Sequence, residues 1–145
     1  MSKLIAFDPI LVGTLPINID IETSDLDIIC HCSDPDQFAG LVSNTFKHHR
    51  YFSIKRTTKQ HLQTIVARFQ ADDFEIEIFG QTAPTQQQNA YRHMIIEHKL
   101  LLERDEAFRQ QIIELKKRGY KTEPAFGIAL GLKGNAYEEL LRFES

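Results

Sequence analysis

Ser24-Asp25-Leu26-Asp27-Ile28-Ile29-Cys30 and Phe74-Glu75-Ile76-Glu77-Ile78-Phe79 decide the reading of this chain. Each sets two carboxylates at i and i+2 in an apolar, β-rich run. On a strand, such residues point to the same side, about 6.5–7 Å apart, while the residues between them face the other way. Asp25 and Asp27 therefore share a face, and Leu26 and Ile28 go to the core. Glu75 and Glu77 repeat the arrangement against Ile76 and Ile78. Asp is disfavoured in strands, so two of them leading a buried run call for a reason. Where the two strands are neighbours, three or four carboxylates converge. Unneutralised, they repel one another and raise their own pKa values. Oxygen-seeking divalent cations, Mg²⁺ or Mn²⁺, relieve that repulsion. Two such ions can also activate a hydroxyl and hold a phosphoryl group in line. Upstream stands Val12-Gly13-Thr14, a Gly-Thr pair directly after an apolar strand, able to offer backbone N–H groups and a hydroxyl to a triphosphate. Taken singly, an Asp-x-Asp is more often a solvated face and an alternating Glu strand is more often merely amphipathic. Their order and spacing carry the information.

The rest of the chain sets bounds. Its 145 residues, 42% hydrophobic and 26% charged, suit one globular domain that folds without a disulfide or metal staple. Seventeen Lys and Arg against 20 Asp and Glu give a net charge of −3, which argues against a protein that coats nucleic acid or an anionic membrane. No apolar run reaches the roughly 18 residues of a membrane span, and the N-terminal apolar stretch is too short for a signal peptide. Cys30 and Cys32 match no zinc pattern and cannot easily bridge each other, so they read as buried small residues of a reducing, cytoplasmic protein.

Apolar periodicity predicts strands first and helices after. Ile10–Val12, the alternating Ile17/Ile19/Ile21, Leu26–Cys32, Tyr51–Arg56, Leu62–Gln70 and Phe74–Phe79 read as strands. Asp34 and Pro35 open a helix with Phe38, Leu41, Val42 and Phe46 as its stripe. A long helix is expected from Thr85 to about Glu103, with Tyr91, Met94, Ile95, His98, Leu101 and Leu102 on one face. Asp105 caps the next, which ends at Lys116-Lys117-Arg118-Gly119 with cations at the negative end of its dipole. Thr122 to Leu130 and Asn135 to Phe143 complete the set. The expectation is one α+β domain, with sheet and acidic site over 1–80 and helices over 81–145. Its helices pack on one face of a small mixed sheet.

Gly13-Thr14, ten intervening residues, Asp25-Leu26-Asp27 and then an apolar-Glu-apolar strand some fifty residues on resemble the nucleotidyltransferase superfamily of the DNA polymerase β type. The resemblance implies a nucleotide-phosphate role for Gly13 and Thr14, with Ser24 beside the acids. It implies metal binding by Asp25 and Asp27. Glu77 becomes the third carboxylate, which deprotonates the acceptor hydroxyl, and Glu75 is its alternate. Thr14 stands where that superfamily has Gly or Ser, and 15–21 reads as extended where many members have a helix. A closer match resembles a bacterial family known only as domain of unknown function 4269. It runs through Asp8–Ile17, Ser24–Cys30, Glu77–Gln81, Gln88–Met94 and Lys121–Phe126. That family has an additional N-terminal helical segment, which is expected to be absent here.

Other constellations rank below this one. His93 and Glu97 are i, i+4 on the long helix, without the spacing of a zinc protease, and a helical His among apolar residues is usually a packing residue. The resemblance adds Arg92 and His93 as secondary candidates facing the carboxylates. The basic clusters Lys47–Arg50, Lys55-Arg56-Lys59 and Lys116–Lys121 read first as solvated surface, and the negative net charge disfavours nucleic acid. The first expectation is a Mg²⁺- or Mn²⁺-dependent transfer of a nucleoside monophosphate from an NTP to an unidentified hydroxyl acceptor. The second is a non-catalytic nucleotide-sensing or partner-binding module of the same fold, such as an antitoxin-like subunit. A weaker third is a hydrolase using His93 and Glu97.

Overall fold

The computed structural model describes residues 2–59 and 61–144. A 3₁₀ turn over Ser2–Phe7 precedes five strands and one helix: β1 (Ile10–Val12), β2 (Leu26–His31), α1 (Pro35–Phe46), β3 (Arg50–Lys59), β4 (Leu62–Ala71) and β5 (Phe74–Gln81). The strands form one mixed sheet in the order β1-β2-β5-β4-β3. Among the described residues, only the β2–β5 pairing is parallel. It places Ile28 beside Ile78, and β4 continues that row with Ala67. These residues, with Cys30, Ile65, Phe69, Phe38, Val42, Leu4 and Phe7, form a buried cluster between the sheet and α1. Asp34 caps α1 as expected, its carboxylate accepting from the N–H groups of Asp36 and Gln37.

Helix α1 sits close to the sheet because β5 presents no side chain at Gly80. A Cβ built there would lie 2.3 Å from the Phe38 ring. Cys30 and Cys32 are buried here, and burial pushes the Cys30 thiol up to about 12, as suits a small core residue.

The chain divides into two compact units. The sheet unit holds 1–12 and 25–88. The other holds 13–24 and 89–145. The second contains α2 (Asn89–Glu103), α3 (Glu106–Lys117), α4 (Thr122–Leu130) and α5 (Ala136–Leu141). Asp105 and Asn135 cap α3 and α5, as the sequence predicts.

Three expectations change. The alternating Ile17, Ile19 and Ile21 do not form a strand. Pro16 offers no N–H, Asn18 takes φ 64, and Asn18 N–H and Ile19 N–H bond back to the carbonyls of Leu15 and Thr14. The alternation survives as burial of Ile17 and Ile19 in a turn. The helix expected from Thr85 splits into a 3₁₀ turn and α2. Gln88 is extended between them, its amide donating to the carbonyls of Cys30 and Ala83. The buried face of α2 is also rotated from the expected stripe. His93, Met94, Ile96, Glu97 and Leu100 are inside, whereas Ile95 and Leu102 are exposed.

Two glycines test this packing with opposite signs. Gly80→Ala should cost about 1–3 kcal/mol, because a methyl overpacks Phe38. Gly40→Ala, at an exposed position of α1 with no atom within 4 Å of its Cβ, should gain about 0.5–1 kcal/mol from helix propensity. Urea unfolding of both variants reads the pair.

Candidate active site

The register of the sheet makes the site. Asp27 on β2 is the direct neighbour of Glu77 on β5, and Glu77 is the neighbour of Arg68 on β4. Because Ile28, Ile78 and Ala67 face α1, this row faces away from it. Glu75 and Asp25 stand two residues before Glu77 and Asp27 and share their face. The structure thus brings Asp25, Asp27, Glu75 and Glu77 together on one side of two adjacent strands.

Their electrostatics follow from burial and from crowding. Burial, followed by the charges of Glu75 and Glu77 and a hydrogen bond with Glu75, raises the Asp25 carboxyl above its ordinary 3.8, and only Arg68 opposes the shift. Arg68 Nε donates to Glu77 Oε2 at 2.8 Å. The pair is half exposed on the arginine side, so its worth to stability is about 0–1 kcal/mol. Its consequence for the site is larger, because it sets a guanidinium against the carboxylate row. Sequence reading missed Arg68. The available signal was a single cation in the apolar run Ile65-Val66-Ala67-Arg68-Phe69, at the parity that faces the alternating acids.

The donor set is of the right chemistry for a hard divalent ion, being all carboxylate oxygen with an excess of negative charge. The side chains are not gathered around one point. Among the described residues no group of three or more His, Cys, Asp or Glu is placed to hold a metal ion, and Arg68 already engages Glu77. Asp25, Asp27 and Glu77 are the carboxylates expected from sequence to hold one, and Glu77 is paired with Arg68 in this structure.

The second unit contains the other candidates. Gly13 follows β1 with φ 85, a backbone that favours glycine. The Thr14 hydroxyl donates to Ser24 Oγ at 3.4 Å, and Ser24 Oγ accepts from Ile21 N–H at 2.9 Å, so the two predicted phosphate-side hydroxyls are neighbours. Arg92 is held in a two-pronged pair with Glu144. His93 Nε2 donates to the Tyr137 carbonyl at 2.8 Å, the packing role that a helical histidine usually has. Glu97 is 2% exposed. Burial, with Glu123 beside it, holds its carboxyl well above the usual range against the opposing charge of Lys116. Lys116, read from sequence as a solvated helix end, is buried and donates to the Ile19 carbonyl at 2.9 Å.

The fold is that of nucleotidyltransferases. Solved structures agree on the fold. The Cid1 poly(U) polymerase with Mg and 3′-dATP bound is 15% identical with a TM-score of 0.56, over 91% of this chain and 40% of that one. The same enzyme with MgGTP bound is 14% identical with a TM-score of 0.57, over 84% and 41%. A GLD-2/RNP-8 complex is 16% identical with a TM-score of 0.52, over 84% and 47%. The chain thus spans less than half the length of these structures. It belongs to the DUF4269 family, a domain of unknown function whose model matches residues 1–143. No curated protein matches it. No helix among the described residues is long and apolar enough to cross a membrane.

The raised Asp25 carboxyl has a pH signature. A group whose folded pKa is raised contributes stability while protonated and loses it as pH rises through the folded value. Without added divalent ions, Asp25→Asn should match the wild type in stability below pH 3.8 and exceed it increasingly toward neutrality. Thermal unfolding across that range measures the gap, and a gap that closes with rising pH contradicts the assignment.

Proposed function

We propose that this protein is a metal-dependent nucleotidyltransferase, moving a nucleoside monophosphate from an NTP to a hydroxyl acceptor. The observation that carries the proposal is the adjacency of Asp27 and Glu77 on parallel strands, with Asp25 and Glu75 on the same face. The fold shared with nucleotide-bound nucleotidyltransferases supports it.

In this reading the acceptor oxygen attacks the α-phosphorus. The new P–O bond forms as the bond to the bridging oxygen breaks, and pyrophosphate leaves. Glu77 takes the hydroxyl proton. Asp25 and Asp27 would hold Mg²⁺ or Mn²⁺, which when bound supplies charge neutralisation for the phosphates. Arg68 orients Glu77 through its 2.8 Å hydrogen bond and keeps that carboxylate paired until the ion and nucleotide arrive. Gly13, Thr14 and Ser24 are proposed to bind the triphosphate, Gly13 through its open backbone and the others through their hydroxyls.

The test is calorimetric titration of each NTP with Mg²⁺ or Mn²⁺, followed by transfer of an α-phosphate label. Binding should depend on the metal and disappear in Asp25→Asn/Asp27→Asn. Transfer should fall at least about 100-fold in Asp27→Asn. A folded wild type that binds no NTP with either ion overturns the reading in favour of a non-catalytic, partner-binding module.

A further inference from the structure

Charge is not spread evenly along this chain. Residues 37–71 contain six of its 17 Lys and Arg and none of its 20 Asp and Glu. The net charge of −3 conceals this, because the other eleven cations share the rest of the chain with every acid. The acid-free segment is the body and end of α1, all of β3 and all of β4.

Register sorts its cations. Ser53 on β3 is the neighbour of Arg68, in the row that continues to Glu77 and Asp27. Lys55 and Lys59 lie two and six residues further along β3, so they project from the same face as the carboxylates. The Lys59 ammonium, 5.5 Å from the Phe79 ring centre, confirms that side, since Phe79 shares the row of Val66 and Lys55. Arg56 faces α1 and pairs with Asp36. Lys55 and Lys59 are exposed and in no ion pair among the described residues.

A cationic line thus runs along β3 from Lys59 through Lys55 and turns at Arg68 onto Glu77. Strand geometry puts Lys55 about 7 Å from the row of Arg68 and Lys59 about 13–14 Å further. These steps are near one and two phosphate intervals of an extended nucleic-acid strand. The hydroxyls of Ser53 and Thr57 fall between them and can also donate to phosphate. A membrane surface or an acidic protein would be served equally by cations on either face. Only a polyanion whose end reacts needs a line that finishes at carboxylates.

We infer that the exposed β3 edge of the sheet, from Lys59 through Lys55 to Arg68, is the track of a single-stranded nucleic acid whose terminal hydroxyl is the acceptor. The inference rests on the nucleotidyltransferase reading for the chemistry at the end of the line. Its test requires neither NTP nor metal, so the two fail separately.

The probe is a fluorescein-labelled, non-self-complementary 12-nucleotide RNA, with its DNA counterpart, titrated with the full chain in EDTA and followed by anisotropy. With Arg68 held on Glu77 in the absence of metal and NTP, Lys55 and Lys59 neutralise two phosphates, and log K should fall with log salt at a slope of about −1.4. Lys55→Glu/Lys59→Glu, both surface positions, should retain wild-type melting. It should lose about tenfold or more in affinity at 50 mM salt, with the salt dependence largely abolished. Unchanged affinity in that variant overturns the track. So does no oligonucleotide binding by the wild type at low salt, or binding to phosphatidylserine vesicles in its place. If Mg²⁺-dependent NTP binding survives such a result, only the acceptor is reassigned.

Discussion

The parallel pairing of β2 with β5 is the constraint on which the structure depends. It sets Ile28 against Ile78 beneath α1, and in doing so forces Asp27 against Glu77 on the opposite face. Like charges directly across neighbouring strands are unfavourable. The sheet does not escape them by slipping one residue, because that would bury the acids and expose the isoleucines. The hydrophobic core therefore holds together a carboxylate cluster that would otherwise separate. The close seat of Phe38 over Gly80 belongs to the same constraint, since it presses α1 onto the strand that carries Glu75 and Glu77.

Arg68 answers the resulting charge. It comes from β4, whose antiparallel register with β5 delivers it to Glu77. The Asp25 carboxyl is still raised, by its burial first and by the charges of Glu75 and Glu77 second. It is at this row, where Arg68 is paired with Glu77, that we propose a divalent ion and a nucleotide bind. The same arginine joins the acidic row to the lysines of β3, so one residue links the chemistry to the surface proposed for the acceptor.

Much of this was legible in the sequence. Asp25, Asp27, Glu75 and Glu77 were readable because a period of two fixes which residues share a face, whatever the partner strand. The capped starts of α1, α3 and α5 were readable because Asp34, Asp105 and Asn135 act locally. What failed depended on distant or backbone terms. Ile17, Ile19 and Ile21 alternate like a strand, yet the backbone at Pro16 and Asn18 turns there. The α2 stripe was misjudged because two polar residues, His93 and Glu97, are buried while Ile95 is not. Their partners, Tyr137 and Glu123, lie far along the chain. Arg68 was invisible as a site residue until β4 was known to border β5.

The most direct test of the account is Mn²⁺ titration of the isotopically labelled protein, followed by loss of backbone amide resonances near the paramagnetic ion. The account predicts that resonances of residues 25–27 and 75–77 broaden together at the lowest Mn²⁺ concentrations, and that Asp27→Asn abolishes the effect. Broadening confined to another part of the chain, or none at either strand, would contradict the claim that the β2 and β5 carboxylates act as one site.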